Sequence, residues 1–268
     1  MIFLHQVLRN QKYKLLYFFM SFISCTQAQE SNPKNEKIIM PSEIKNITIT
    51  SEDSLIINGQ LLWNSPESIS ILMFHQAGSN LSEFDHAAKV FYDRGYNVLR
   101  VDLRSGGDMN NRENGTHNRA LEAGLKYDFL ASLPDMRASI QYFHNLSGGD
   151  IILMGSSYTA GLSLYLSTVM KHVKAVIAYS PGEYYGDDFK LAEHIADLQV
   201  PIYVTAAKHE LNDVYWLMRA VKNQDHIHFY KPITDGNHGS KVLWPQQVDN
   251  QPFWDSLNEW LKQENLYR

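Results

Sequence analysis

From residue 69 onward, short apolar runs of strand length alternate with stretches of helical periodicity, and this alternation constrains the fold more than any other feature. The runs are "ISILMFH", "YNVLRVDL", "DIILMG", "VKAVIAYS", "PIYVTAA" and "HIHFYKPI". Between them lie helical patterns at Glu83 to Arg94, Pro134 to Asn145, Tyr158 to Lys171, near Leu191 to Ala196, and Asn212 to Lys222, with a last helix within Pro252 to Gln263. Near-continuous apolar strands joined through helices bury both of their faces in a parallel sheet covered on both sides. Ahead of them "IKNITIT" alternates as an edge strand does, and "SLIINGQLLWN" is two apolar runs split at Asn58-Gly59, a hairpin or bulge signal. The expectation is one α/β domain over residues 44–268 with a mostly parallel central sheet, helices on both faces and no large cap domain. Two connections are long, Ser105 to Leu133 and Gly182 to Lys190, and loops at the carboxyl ends of such strands build the site.

The rest of the chain narrows the function. It has 268 residues and a formal charge of -5, with no basic block to offer an electrostatic footprint for nucleic acid. Nucleic acid is therefore not an expected partner. At the amino end Arg9, Lys12 and Lys14 precede an apolar run from Leu15 to Ile23, too short to span a bilayer but suited to a signal-peptide core. Export to the cell envelope or beyond is expected. The single cysteine, Cys25, follows in "FISC", which is similar to the lipobox of bacterial lipoproteins, where cleavage precedes a cysteine that then carries lipid. Two processing events stay open for residues 1–28: lipoprotein cleavage before Cys25, or ordinary cleavage after Ala28. Residues 29–43 are polar and proline-bearing and read as a tether.

In "DIILMGSSYTAGL", residues 150–162, a strand turns into a helix at a pair of serines. A nucleophile on such a turn needs small residues two before and two after it, where strand and helix nearly touch. For Ser157 these are Gly155 and Thr159, whereas for Ser156 they would be Met154 and Tyr158. Ser157 is the better candidate, although the β-branched Thr159 must then tuck beside the strand. Read alone, Ser157 also suits a helix N-cap. Four further stretches end strands in the same way: "FHQAGSN" the third, "DLRSGGD" the fourth, "PIYVTAAKHE" the seventh and "DGNHGS" the eighth. His226 and His228 share an expected strand face but have no third ligand at suitable spacing, so no metal site is expected.

Together these stretches resemble the α/β-hydrolase fold, specifically the serine-nucleophile branch of dienelactone-hydrolase-like enzymes, over about residues 44–265. The resemblance implies Ser157 as nucleophile, His238 as general base and Glu210 as the acid that orients it. Asp213 is the alternative acid, otherwise a helix cap. It further implies an oxyanion hole from the backbone N–H groups of Ala77 and Tyr158, and a loop-tying role for Arg104. The implied reaction is acyl transfer to Ser157 and then to water, without metal or organic cofactor, most readily on a small carboxylic ester. A peptidase, amidase or thioesterase would use the same residues, and a catalytically silent binding protein of the cell envelope is the reading from a different class. Without a cap the long loops are expected to wall a shallow pocket, with Tyr184 and Tyr185 as aromatic sides.

Overall fold

The computed structural model describes residues 44–267. The expectations of export and lipidation at Cys25, cleavage after Ala28 and a tether over 29–43 lie outside the described residues. Eight strands form one sheet, β1 (Lys45–Thr50), β2 (Ile56–Leu62), β3 (Ser70–Phe74), β4 (Asn97–Val101), β5 (Ile151–Ser156), β6 (Val173–Tyr179), β7 (Ile202–Thr205) and β8 (Ile227–Phe229). Their spatial order is β1-β2-β4-β3-β5-β6-β7-β8. β2 is antiparallel to both β1 and β4, and every other pairing is parallel. The helices are α1 (Asp85–Asp93), α2 (Gly115–Glu122), α3 (Leu133–Ser147), α4 (Tyr158–Val169), α5 (Leu191–His194), α6 (Leu211–Met218) and α7 (Asn250–Gln263).

The period of two along each strand divides the core. Ile71 and Met73 of β3 point to one side, where they join Phe91 of α1 and Trp254 and Trp260 of α7. Leu72 and Phe74 point to the other, against Met136 and Ile140 of α3 and Leu164 of α4. Both faces are covered, which is why β3 is buried at every position. This is the parallel sheet covered on both faces that the alternation anticipates, in the α/β-hydrolase fold that the resemblance implies, and β6 leads to α5 through residues 180–190 without an inserted domain.

Two local expectations need correction. Asn58-Gly59 makes neither hairpin nor bulge: β2 runs straight through it, and the turn lies earlier, where Ser51 N–H donates to Leu55 O at 2.9 Å. The glycine is there for close approach, since a Cβ on Gly59 would lie 3.1 Å from Ile47 and 3.3 Å from Val101 on the flanking strands. The long connection after β4 also contains α2, whose sequence GTHNRALE buries only Thr116 and Ala120 and so carries almost no apolar period.

Arg104 ties the end of β4 to two other elements. Its guanidinium meets Asp135 in α3, with Nη2 to Oδ1 at 2.7 Å, and Asp53 in the β1–β2 turn, with Nη1 to Oδ2 at 2.5 Å. Burial works against its charge, yet the hydrogen bonds with Asp53 and Asp135 outweigh this and raise its pKa above the ordinary value. Asp135 is fully buried, so removing the arginine strands a carboxylate in the core. Arg104→Ala is expected to cost about 3–5 kcal/mol of stability. Thermal or urea unfolding would show a Tm lower by on the order of 10 °C.

Candidate active site

Ser157 joins β5 to α4 in a backbone conformation that L-residues rarely adopt, with φ 62° and ψ -126°. Such strain costs about 1–3 kcal/mol and persists only where the surroundings hold it. Here β5 and α4 hold it. A Cβ on Gly155 would lie 2.6 Å from the backbone of Ala160, so only glycine fits the crossing of strand and helix. Thr159 makes a virtue of its size: its hydroxyl accepts from Ser156 N–H at 2.9 Å and lies 2.7 Å from Phe74 O, to which it can donate. The β-branched residue that fits poorly by size alone thus pins the turn to the end of β3.

The strained turn presents Ser157 to His238, whose Nε2 lies 2.8 Å from Ser157 Oγ. On its other side His238 Nδ1 is hydrogen-bonded to Glu210 Oε1. The second oxygen of Glu210 accepts from Ser180 Oγ at 2.7 Å and from Ala207 N–H at 3.1 Å. Ser180 Oγ in turn accepts from Gly239 N–H at 2.9 Å, so one hydroxyl links the acid to the histidine loop. Burial pushes the Glu210 carboxyl up, but the hydrogen bonds from His238 and Ser180 outweigh it and hold the pKa below its ordinary value. His238 moves the other way: the hydrogen bond with Glu210 raises its pKa against the effect of burial, and the charges of Glu210 and Glu83 add to the rise. Ser156 faces elsewhere, its Oγ accepting from Ser240 N–H at 2.9 Å. Asp213 is exposed on the first turn of α6, and it is Glu210, not Asp213, that is hydrogen-bonded to the imidazole.

The loop "FHQAGSN" is held from several directions. Fully buried His75 accepts at Nε2 from Leu103 N–H at 2.9 Å, which leaves its proton on Nδ1 to donate to Gln76 O at 2.8 Å. The Gln76 N–H donates to Glu83 Oε2 at 3.0 Å. Both backbone groups of Gln76 are thus occupied, and the next amide, that of Ala77, has no acceptor among the described residues. The amide of Tyr158 is in the first turn of α4, where a helix leaves its N–H groups without internal partners.

Glu83 escapes the motif-based reading altogether. It is 1% exposed and its other oxygen accepts from Ser240 Oγ at 2.6 Å, while its carbonyl accepts from Trp244 Nε1 at 2.7 Å. One buried carboxylate therefore joins the loop after β3 to the loop carrying His238. Glu83→Gln isolates its charge, because the amide oxygen still accepts from Gln76 N–H and the Ser240 hydroxyl can accept instead of donate. With that charge gone the His238 pKa falls, so the acid limb of the kcat/KM profile is expected at lower pH than in wild type. A limb at unchanged pH would mean that Glu83 acts through geometry alone.

The aromatic walls divide. Tyr184 faces the site, its ring edge-on to His238 at 6.5 Å between centroids and its hydroxyl donating to Ser180 O at 3.0 Å. Tyr185, expected beside it, instead turns inward, where its hydroxyl donates to Tyr158 O at 2.5 Å. The reason is Gly161: any Cβ there would strike Tyr185 Oη, and without one α4 offers the ring a slot. His226 lies in a turn before β8, and His228 stacks on Tyr203, so they share no strand face.

A sequence profile of the Dienelactone hydrolase family matches residues 61–219, more than half of the 268-residue chain. The chain belongs to the dienelactone hydrolase family. It is thereby a hydrolase; the matched span includes Ser157 and Glu210 and stops short of His238. Among solved structures, this member of the family is similar to an esterase from Pyrococcus furiosus, with a TM-score of 0.66 at 16% identity over 82% of this chain and 92% of that one. It is also similar to an α/β serine hydrolase without lid from Xanthomonas campestris, with a TM-score of 0.59 at 14% identity over 84% and 96%. A third is the Pyrococcus horikoshii acylaminoacyl peptidase, with a TM-score of 0.61 at 14% identity over 82% of this chain and 41% of that one. No curated protein matches the chain in sequence.

Proposed function

We propose that this dienelactone hydrolase family member cleaves small carboxylic esters through a covalent acyl-enzyme on Ser157. The supporting observation is the hydrogen-bonded series Ser157 Oγ, His238 Nε2 at 2.8 Å and, through His238 Nδ1, Glu210 Oε1, mounted on a strained turn. Ser157 Oγ attacks the ester carbonyl carbon while His238 Nε2 takes its proton, and the carboxylate of Glu210 stabilises the imidazolium. The Ala77 and Tyr158 amides receive the oxyanion. Collapse of the tetrahedral intermediate breaks the C–O bond, and His238 returns the proton to the departing alkoxide. Water then repeats the sequence on the acyl-serine, with His238 again as base, and frees the acid.

Substrate size follows from what surrounds this chemistry. The β6–α5 connection is confined to residues 180–190 and contributes Tyr184 alone as an aromatic wall. Such a site buries few methylenes, each worth about 0.8 kcal/mol, so selectivity stops rising after a short acyl chain. Across a series of nitrophenyl esters, kcat/KM is expected to be highest from acetyl to butyryl and to fall for long chains. A maximum at long chains, or a preference for aminoacyl amides over all esters, would contradict this substrate assignment.

A further inference from the structure

A second cluster of chemistry-bearing side chains lies at the end of the sheet opposite Ser157. His144 is in the last turn of α3, Asp150 immediately precedes β5 and His172 immediately precedes β6. One possible ligand atom from each lies within 4.8 Å of the other two. The backbones that carry them are fixed to one another, since Ile151 N–H donates to His172 O at 2.9 Å. The imidazoles of His144 and His172 stack with centroids 3.4 Å apart and planes at 11°. His144 Nδ1 lies 3.0 Å from Gly149 O, and a carbonyl only accepts, so the proton is on Nδ1 and Nε2 keeps its lone pair. A backbone carbonyl on the far nitrogen is the support that a metal-bound histidine ordinarily has. The Asp150 carboxylate stands 3.6 Å from His172 Nδ1.

We propose that His144, His172 and Asp150 bind a borderline first-row transition-metal ion of the Zn²⁺ class. Two imidazoles and one carboxylate are a donor set that suits Zn²⁺, with a fourth position left for water, whereas Mg²⁺ or Ca²⁺ would demand more oxygen. At Zn–N bonds of about 2.0–2.1 Å, two tetrahedral ligand atoms stand roughly 3.3 Å apart, and the candidate ligand atoms here already lie within 4.8 Å of one another. Parallel rings do not aim their lone pairs at one point. Binding therefore requires the two side chains to swing apart about Cα–Cβ and turn about Cβ–Cγ, while the clamped backbones stay in place. Room exists for this, because the His172 and Asp150 side chains are 36% and 54% exposed. At the far end of β5 from Ser157 the ion would fasten the α3–β5 loop to the α4–β6 loop and take no part in hydrolysis.

The test is a calorimetric titration of the chelator-stripped protein with Zn²⁺, alongside Co²⁺ absorption spectra and thermal unfolding. Expected are one equivalent of Zn²⁺ bound, a higher Tm, and visible Co²⁺ bands of tetrahedral intensity. His144→Ala and His172→Ala are each expected to weaken binding at least ~10–100-fold and to remove the Tm rise. Glutamine at the same positions, which keeps a polar surface, should lose the metal equally, separating ligation from folding. Absence of stoichiometric binding to the wild type, or binding unchanged in the His144→Ala/His172→Ala double variant, would overturn the assignment.

Discussion

Ser157→Ala is expected to lower kcat by roughly six orders of magnitude while the protein stays folded, since loss of the nucleophile in a serine triad costs about that much. Alanine has no atom to attack the ester, and His238 Nε2 is left without the Oγ that lies 2.8 Å away. The backbone strain at φ 62° is common to both residues, so the change touches chemistry far more than stability. Ser156→Ala makes the contrast. Its hydroxyl accepts from the Ser240 amide and holds the histidine loop from behind, so its loss loosens the site but leaves the nucleophile. Most of the activity is expected to survive. Activity retained by Ser157→Ala and lost by Ser156→Ala would reverse the assignment of the two serines.

Glu210→Gln is the second large effect, at about four orders of magnitude in kcat. The size follows from which hydrogen bonds are negotiable. The backbone N–H of Ala207 only donates, and it points at Glu210 Oε2. In the variant the amide oxygen must take that place, which turns the amide NH₂ towards His238 Nδ1. The imidazole must then accept at Nδ1 and carry its proton on Nε2, where it cannot receive one from Ser157. The charge that favours the imidazolium is lost as well. Asp213→Asn, on the exposed face of α6, is expected to leave kcat within about threefold, as surface substitutions away from special features usually change little. The opposite ranking of these two variants would move the acid to Asp213.

What could be read from the chain and what could not divide along physical lines. Strand and helix alternation is a repeating signal over many residues, and it carried the sheet and both its faces. Gly155 and Ser157 lie at the end of β5, and Glu210 and His238 lie in the segments that follow β7 and β8, so local motifs expose them. Glu83, Ser180 and Thr159 act through hydrogen bonds between segments far apart in sequence, such as Ser240 Oγ to Glu83 Oε1 at 2.6 Å, and no local pattern marks them. The fit of Thr159 depends on Phe74 O, a partner on another strand. Tyr185 turns inward for a reason of the same kind: the slot that takes it is created by Gly161 on a different element. The His144, Asp150 and His172 cluster likewise exists only because β5 and β6 are neighbours.

The central claim is that Ser157 is the nucleophile, and covalent labelling tests it most directly. Native protein treated with a fluorophosphonate, digested and analysed by mass spectrometry should carry a single adduct on Ser157, blocked in full by Ser157→Ala and greatly slowed by Glu210→Gln. An adduct on Ser156, or no adduct under conditions that label a control serine esterase, would contradict it.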